Sequence, residues 1–339
     1  MTQIAPAHRH LDDDFIRALD DLARSKPDRN WWRDVLARRD LVIAIRRNSI
    51  NVYNCGASIF KINWSGGRIS VSTHAKYLVK QEQNYVPLSE AGFSIAFERL
   101  FWQAYEGPQT LDSMVRAAKV LAGPEKTGLH PLLVNDPKVV DAEIAFTREA
   151  EAEDDEKIIT PPTERRQDRL DAAVVRSTIG GPTITFFEAK DYSSKYLRAS
   201  GDTPPAVLSQ IAAYEKALTT NAGAIAVGYA NVARALVRIS EMREHVAGPE
   251  AIGGVDPLVL SMAEGSSPII DCKPRLLILN FDNARRNDKG WLGHLAKLKS
   301  ADALGSIRVR AVGDPDAHTR FVTATEEKAK DGRRTPARG

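Results

Sequence analysis

A mixed α/β sheet flanked by helices, preceded by a smaller α+β module, is the fold predicted for this 339-residue chain. Three observations predict it. The central third carries three strand-like runs, Asp141 to Phe146, Arg169 to Val175 and Thr183 to Lys190, and then an amphipathic helical segment. A continuous apolar run, Leu276 to Phe281, follows that helix and reads as a buried strand. The first hundred residues instead show a helical stretch and four short strand-like runs separated by Asn, Gly and Ser turns, the pattern of a meander.

In chain order, residues 11 to 39 read as helical, with Phe15, Leu19 and Leu22 on one face and Trp31-Trp32 opening a second segment. Leu41 to Ile45, Ser49 to Tyr53, Ser58 to Trp64 and Arg68 to Thr73 are the four strands, and Phe93 to Tyr105 is helix-like. Arg46, Arg47, Lys61, Trp64, Arg68, His74, Lys76 and Tyr77 mix cations with aromatics as a nucleic-acid surface would, although half-exposed strands commonly look the same, and a structural module is the favoured reading. Residues 149 to 156 hold six acids in eight positions and read as a solvated connection. Beyond the buried strand, a helix over Trp291 to Leu298, a strand over Ile307 to Val312 and a basic, disordered tail are expected. The division is 1–110 for the N-terminal module, 111–325 for the α/β domain and 326–339 for the tail.

Chemistry concentrates between Asp171 and Lys190. Val174 to Pro182 reads as strand, turn, strand, with Gly180-Gly181 at the reversal. Asp171 lies nine residues before Gly180 and Glu188 eight after it, so a hairpin there sets the two carboxylates nearly opposite each other. Side chains alternate along a strand, so Glu188 and Lys190 project together while Ala189 faces away. Paired, partly buried carboxylates repel and favour a proton or a cation. Hard oxygen donors suit Mg²⁺ or Mn²⁺, and an adjacent lysine suits an attacking water or a developing phosphate charge. An isolated Glu-x-Lys is an ordinary exposed ion pair; the matched upstream Asp is what favours a metal site.

A helix follows Pro204-Pro205, with Val207, Ile211, Tyr214 and Leu218 at helical spacing, and Gln210 and Tyr214 neighbours on one of its faces. Arg169-Leu170-Asp171, Glu188-Ala189-Lys190 and Gln210-Ile211-Ala212-Ala213-Tyr214 together resemble the motifs of the PD-(D/E)XK nuclease superfamily, specifically its Q-x-x-x-Y branch of RecB-like and Cas4-like nucleases. The resemblance covers about 110 residues, from near Asp141 to near Gly253. It implies a restriction-endonuclease-like fold in which Asp171, Glu188 and the Ala189 carbonyl ligate metal and Lys190 serves the nucleophile. Gln210 and Tyr214 hold the site from the helix. The family often adds an acid from a preceding helix or first strand, for which Glu143 is the first candidate and Glu98 the second. Arg169, Lys195 and Arg198 lie where a nucleic-acid backbone would pass.

With 43% hydrophobic and 27% charged residues the chain is globular, and its net charge of +3 is too small to argue for nucleic acid by itself. Two cysteines, Cys55 and Cys272, form neither a disulfide framework nor a zinc site and fit a reducing cytoplasm. Asp12-Asp13-Asp14 stands where a secretion signal needs an apolar core, and no apolar run of membrane-spanning length is read in the sequence, so no membrane partner is expected. Gly123 to Thr127 lacks the glycine a phosphate-binding loop places directly before its lysine, and there is no G-x-S-x-G or H-E-x-x-H pattern. The expected function is metal-dependent phosphodiester hydrolysis in DNA, in repair or anti-phage defence, with a homo-oligomer or a defence or repair partner protein left open. The alternative is a nuclease-fold binding or scaffolding subunit without catalysis.

Overall fold

The computed structural model describes residues 5–25, 28–80, 88–90, 92–93, 100–145, 169–201, 203–248, 254–280, 283–300, 310–311 and 321. Helices α1 (Asp13–Arg24) and α2 (Trp31–Leu36) come first, and the Asn30 side chain caps α2 by accepting from the Trp32 and Arg33 amides. An antiparallel sheet follows in the order β1 (Val42–Ile45), β2 (Ser49–Asn54), β3 (Ala57–Ser65) and β4 (Arg68–Ser72). All four strands lie within a residue or two of their sequence-read limits, because alternation and Asn-Gly-Ser punctuation are local signals. A short hairpin, β5 (Leu88–Ser89) and β6 (Gly92–Phe93), precedes α3 (Pro108–Leu121) and α4 (Pro124–Asn135). Of the helix-like reading of Phe93 to Tyr105, Leu100 is helical, whereas Phe93 is in a strand and Phe101 bridges Val79.

The second sheet is mixed. Strands β7 (Val139–Ala145), β8 (Arg169–Thr178) and β9 (Gly181–Asp191) pair antiparallel in that order. The chain then crosses over through α5 (Val207–Ala247) and α6 (Pro257–Ala263), and β10 (Ile269–Leu279) adds parallel to β9. Helices α7 (Asn283–Arg286) and α8 (Lys289–Ser300) lead to β11 (Arg310–Ala311), parallel to β10 at the edge. The hairpin closes over Ile179-Gly180, with Thr178 paired to Gly181, which takes the φ of +116° that only glycine adopts without strain.

Helices cover both faces of this sheet. Ala173, Val175, Ile184 and Phe186 pack toward Tyr214, Leu218 and Tyr229 of α5. On the opposite face Ala172, Val174, Phe187 and Ala189 meet Leu129, Leu132 and Leu133 of α4. The α5-side core is continuous with Phe15, Leu19, Ile50 and Ile62, so residues of the 1–110 segment and of the mixed sheet share one apolar interior.

Several expectations are corrected. The helix read to Leu218 runs on to Ala247, since tertiary burial of Ile225, Tyr229, Val232, Ile239 and Met242 outweighs the low helix propensity of Thr219, Thr220 and Asn221, and it stops at Gly248 with φ +85°. At 41 residues with a window of mean hydropathy 1.2, α5 is long and apolar enough to cross a membrane by length and composition, contrary to the sequence reading; its buried stripe is the spine of the core. Of the basic and aromatic residues of the meander, Arg46 and Tyr77 are buried and the Trp64 ring stacks on Phe15 at 5.6 Å, whereas Arg47, Arg68, His74 and Lys76 are exposed. Glu98, the acidic run at 149 to 156 and the tail from 326 lie outside the described residues, and of Ile307 to Val312 only Arg310–Ala311 is described.

Candidate active site

Register lines up the acids. Ala172 pairs with Phe187, so Asp171 stands opposite Glu188. Ala142 pairs with Ala172 and Ile144 with Leu170, so Glu143 stands opposite Asp171 on the other side. Glu143, Asp171 and Glu188 therefore form one row across three strands, at an interstrand spacing of about 4.8 Å. Leu276 continues the row on β10. Glu143 reaches this place with φ +53°, a left-handed conformation that costs a non-glycine residue about 1–3 kcal/mol and persists only where surrounding contacts hold it. The Arg46 guanidinium provides those contacts, donating to the carbonyls of Ala142 at 2.7 Å and Glu143 at 3.3 Å.

Glu125, Lys126, Glu143, Arg169, Asp171, Glu188 and Lys190 supply the charge of one cleft of about 500 Å³, whose wall includes Tyr196 and Gln210. Asp171 accepts from the Ala189 amide at 2.6 Å through one oxygen and from Lys126 at 2.6 Å through the other. Lys126 also donates to Glu143 at 2.6 Å. Lys190 pairs with Glu188 Oε1 and donates to the Ala189 carbonyl at 3.2 Å. Gln210 donates through Nε2 to the Tyr214 hydroxyl at 3.0 Å, four residues on along α5.

Of the predicted residues, the structure gathers Asp171, Glu188, Lys190, Glu143, Arg169 and Gln210 at this cleft. Tyr214 sits behind Gln210, 2% exposed. Lys195 is exposed and its ammonium lies 5.8 Å from the Tyr196 ring centroid. Arg198 is half-buried just after β9. Its guanidinium lies 4.7 Å from the Tyr192 ring and 5.0 Å from the Trp291 ring, and it donates to the Tyr192 carbonyl at 2.8 Å, so it secures the segment after β9.

Glu125 and Lys126 are the site residues that sequence reasoning missed. They stand in the first turn of α4, whose start is set by Gly123 and Pro124. In the sequence, Gly123 to Thr127 carries only an incomplete phosphate-loop pattern. The available signal was a Glu-Lys pair opening a helix just ahead of the first sheet strand. Gly56, φ +74°, brings the β2–β3 turn against them, since a Cβ there would lie 2.8 Å from Lys126 Cδ and 3.1 Å from Glu143 Oε1.

Burial and the neighbouring Asp171 raise the Glu188 carboxyl to about 8, against the pull of Lys190. Burial, then Asp171, raises Glu125 as well. Lys190 loses charge preference to burial but regains more from Glu188, so it too is raised. The two partners pull against each other, because a protonated Glu188 offers Lys190 no counter-charge; burial and Asp171 push the Glu188 carboxyl up, and Lys190 keeps its ammonium. A group bound more tightly by protons in the folded than in the unfolded state stabilises below its unfolded pKa, and that contribution is lost as pH rises through the folded one. The metal-free protein is therefore expected to lose thermal stability between about pH 4.5 and 8. Melting curves in chelator should show that decline in the parent and a flatter profile in Glu188→Gln. An equal slope in both would remove Glu188 as its source.

Glu188 Oε2 is buried and lacks a hydrogen-bond partner, while Oε1 is taken by Lys190. Unlike an ordinary buried carboxylate, it thus keeps an open acceptor facing a row of acids, which suits a hard cation. Among the described residues, three or more His, Cys, Asp or Glu side chains do not converge as a ready-made metal cage; Lys126 lies between Glu143 and Asp171 instead. Compared with known proteins, the chain matches no family model, no curated protein and no solved structure.

Proposed function

We propose that the chain is a Mg²⁺- or Mn²⁺-dependent nuclease that hydrolyses phosphodiester bonds in DNA, acting in repair or anti-phage defence. The observation that carries this reading is the Glu143–Asp171–Glu188 row with the open Glu188 Oε2 and with Lys190 beside it. The order helix, three antiparallel strands, crossover helix, parallel strand also supports a restriction-endonuclease-like core, as the sequence resemblance implies.

On this reading Asp171, Glu188 and the Ala189 carbonyl, with Glu143 alongside, would hold the ion. When bound, a divalent ion supplies positive charge that polarises the scissile phosphate and eases deprotonation of the attacking water. Lys190, 8% exposed and fixed at its tip by Glu188 and the Ala189 carbonyl, presents a cation already oriented toward the phosphate, at no reorganisation cost during the reaction. Arg169 at the cleft and exposed Lys195 supply backbone contacts that are independent of base sequence.

The direct test is incubation of purified protein with linear, circular and single-stranded DNA in Mg²⁺, Mn²⁺ or EDTA. Metal-dependent cleavage is the expected result; intact DNA under every condition would favour the non-catalytic scaffold. The Gln210–Tyr214 pair separates the two readings further. Gln210→Ala is expected to lower turnover by about 10- to 100-fold with little change in melting temperature, because it supports groups at the reacting centre from the helix. Tyr214→Phe keeps the buried ring and loses only the hydroxyl, so its effect is smaller. Unchanged turnover in both would leave the pair a purely structural contact.

A further inference from the structure

We propose that Lys126 is an internal counter-cation that holds the divalent-ion position between Glu143 and Asp171, and that an ion loads this site by displacing it. The inference rests on the metal-site reading above and deepens it. Lys126 Nζ lies 2.6 Å from a carboxylate oxygen of each residue, bridging two neighbours of the acid row as a small hard cation would. The two carboxylates are almost fully enclosed, at 8% and 5% side-chain exposure, whereas the Lys126 side chain is 29% exposed.

The Lys126 side chain therefore reaches solvent where those of its partners do not. Its ammonium is carried on a flexible four-carbon stem from the first turn of α4. The stem crosses the β2–β3 turn at Gly56, where a Cβ would approach Cδ to 2.8 Å and Cγ to 3.0 Å, so this passage exists because position 56 carries no side chain. Lys190 is built differently: at 11% side-chain exposure it is wedged between Glu188 and the Ala189 carbonyl and does not bridge the row.

Two consequences follow for loading. Bare divalent ions must compete with a tethered cation, so they bind weakly. Once Lys126 is displaced, its ammonium is released at the mouth of the cleft, where a substrate phosphate supplies the negative charge it has lost. Metal and phosphate thereby favour one another's binding, and by thermodynamic reciprocity to the same extent.

The test is calorimetric titration of Mn²⁺ into the parent, Lys126→Met and Asp171→Asn, without DNA, at pH 7.5. The expected result is weak binding to the parent, binding to Lys126→Met tighter by about tenfold or more, and loss of binding in Asp171→Asn. Equal or weaker binding to Lys126→Met, with the parent still binding at the Asp171 site, overturns the role of Lys126 and leaves the metal site standing. Absence of binding in parent and Lys126→Met alike, at millimolar Mn²⁺, overturns the metal site and this inference together. A measurement on the parent alone guards against a variant that fails to fold: amine labelling read by mass spectrometry should show Lys126 becoming several-fold more reactive on adding Mn²⁺, with exposed Lys119 unchanged. No change at Lys126 under saturating Mn²⁺ overturns the displacement.

Discussion

Lys190→Ala is expected to reduce DNA cleavage by about 10²–10³-fold or more while melting temperature and DNA affinity stay near those of the parent. The size follows from where the charge acts. Lys190 contributes little to the apolar core, and the Glu188 carboxyl, already raised to about 8, takes up a proton when its partner is removed and so leaves no unpaired buried charge, which keeps the stability cost small. In the transition state of phosphodiester hydrolysis the same ammonium meets negative charge that is absent from the ground state, which makes its loss a loss of rate. Glu188→Ala and Asp171→Ala should remove cleavage and also weaken Mn²⁺ binding, since each takes away an oxygen donor of the row. Cleavage rates on linear DNA, with calorimetric Mn²⁺ titrations beside them, separate the two effects. Parent-like cleavage in all three variants would place the chemistry elsewhere.

The largest effect on stability is expected at Asp141, two residues before Glu143 on β7. Its carboxylate, 1% exposed, accepts from Arg9 at 2.6 Å, Arg46 at 2.7 Å, its neighbouring Ala142 amide at 2.8 Å and the Tyr229 hydroxyl at 3.2 Å. Arg9 and Arg46 are themselves 0% and 5% exposed. Asp141→Ala would remove the buried carboxylate that both guanidiniums share, a defect that costs about 3–5 kcal/mol. Chemical denaturation should report that loss, and a change below about 1 kcal/mol would mean that the cluster relaxes to solvent. Burial opposes the Asp141 charge, but Arg46 and then Arg9 outweigh it and lower its pKa below the usual carboxylate value. Such a group stabilises above its unfolded pKa and loses that contribution as pH falls toward the folded one, so the cluster weakens only in acid, below about pH 4. The same Arg46 holds the carbonyls at the strained Glu143, so Arg46→Ala should disturb the acid row as well as the fold.

Within the candidate site, legibility divides along the range of the forces involved. Asp171 opposite Glu188, Lys190 beside Glu188 and Ala189 turned to the other face all follow from a two-residue hairpin turn and a period of two, quantities set by residues a few positions apart. The four meander strands and the pairing of Gln210 with Tyr214 one helical turn on are legible for the same reason. Glu143 is legible as a candidate acid, but its arrival in the row needs a left-handed residue and a guanidinium from β1's end ninety-seven residues earlier.

What the sequence by itself determined, then, is the order of the elements and the local geometry that sets Asp171, Glu188 and Lys190 together, because side-chain alternation and turn chemistry act within a strand or a hairpin. Only the tertiary structure decided that the start of α4 would cross to the acid row and bring Glu125 and Lys126 with it, that Arg198 would be spent between two aromatic rings, and that α5 would continue for 41 residues. Each of those outcomes is settled by burial against segments distant in the chain: Leu129, Leu132 and Leu133 against the sheet, Trp291 against Arg198, and Tyr229 and Ile239 against the core that Phe15 also enters. Contacts of that kind outweigh local propensity by amounts that no short stretch of sequence contains.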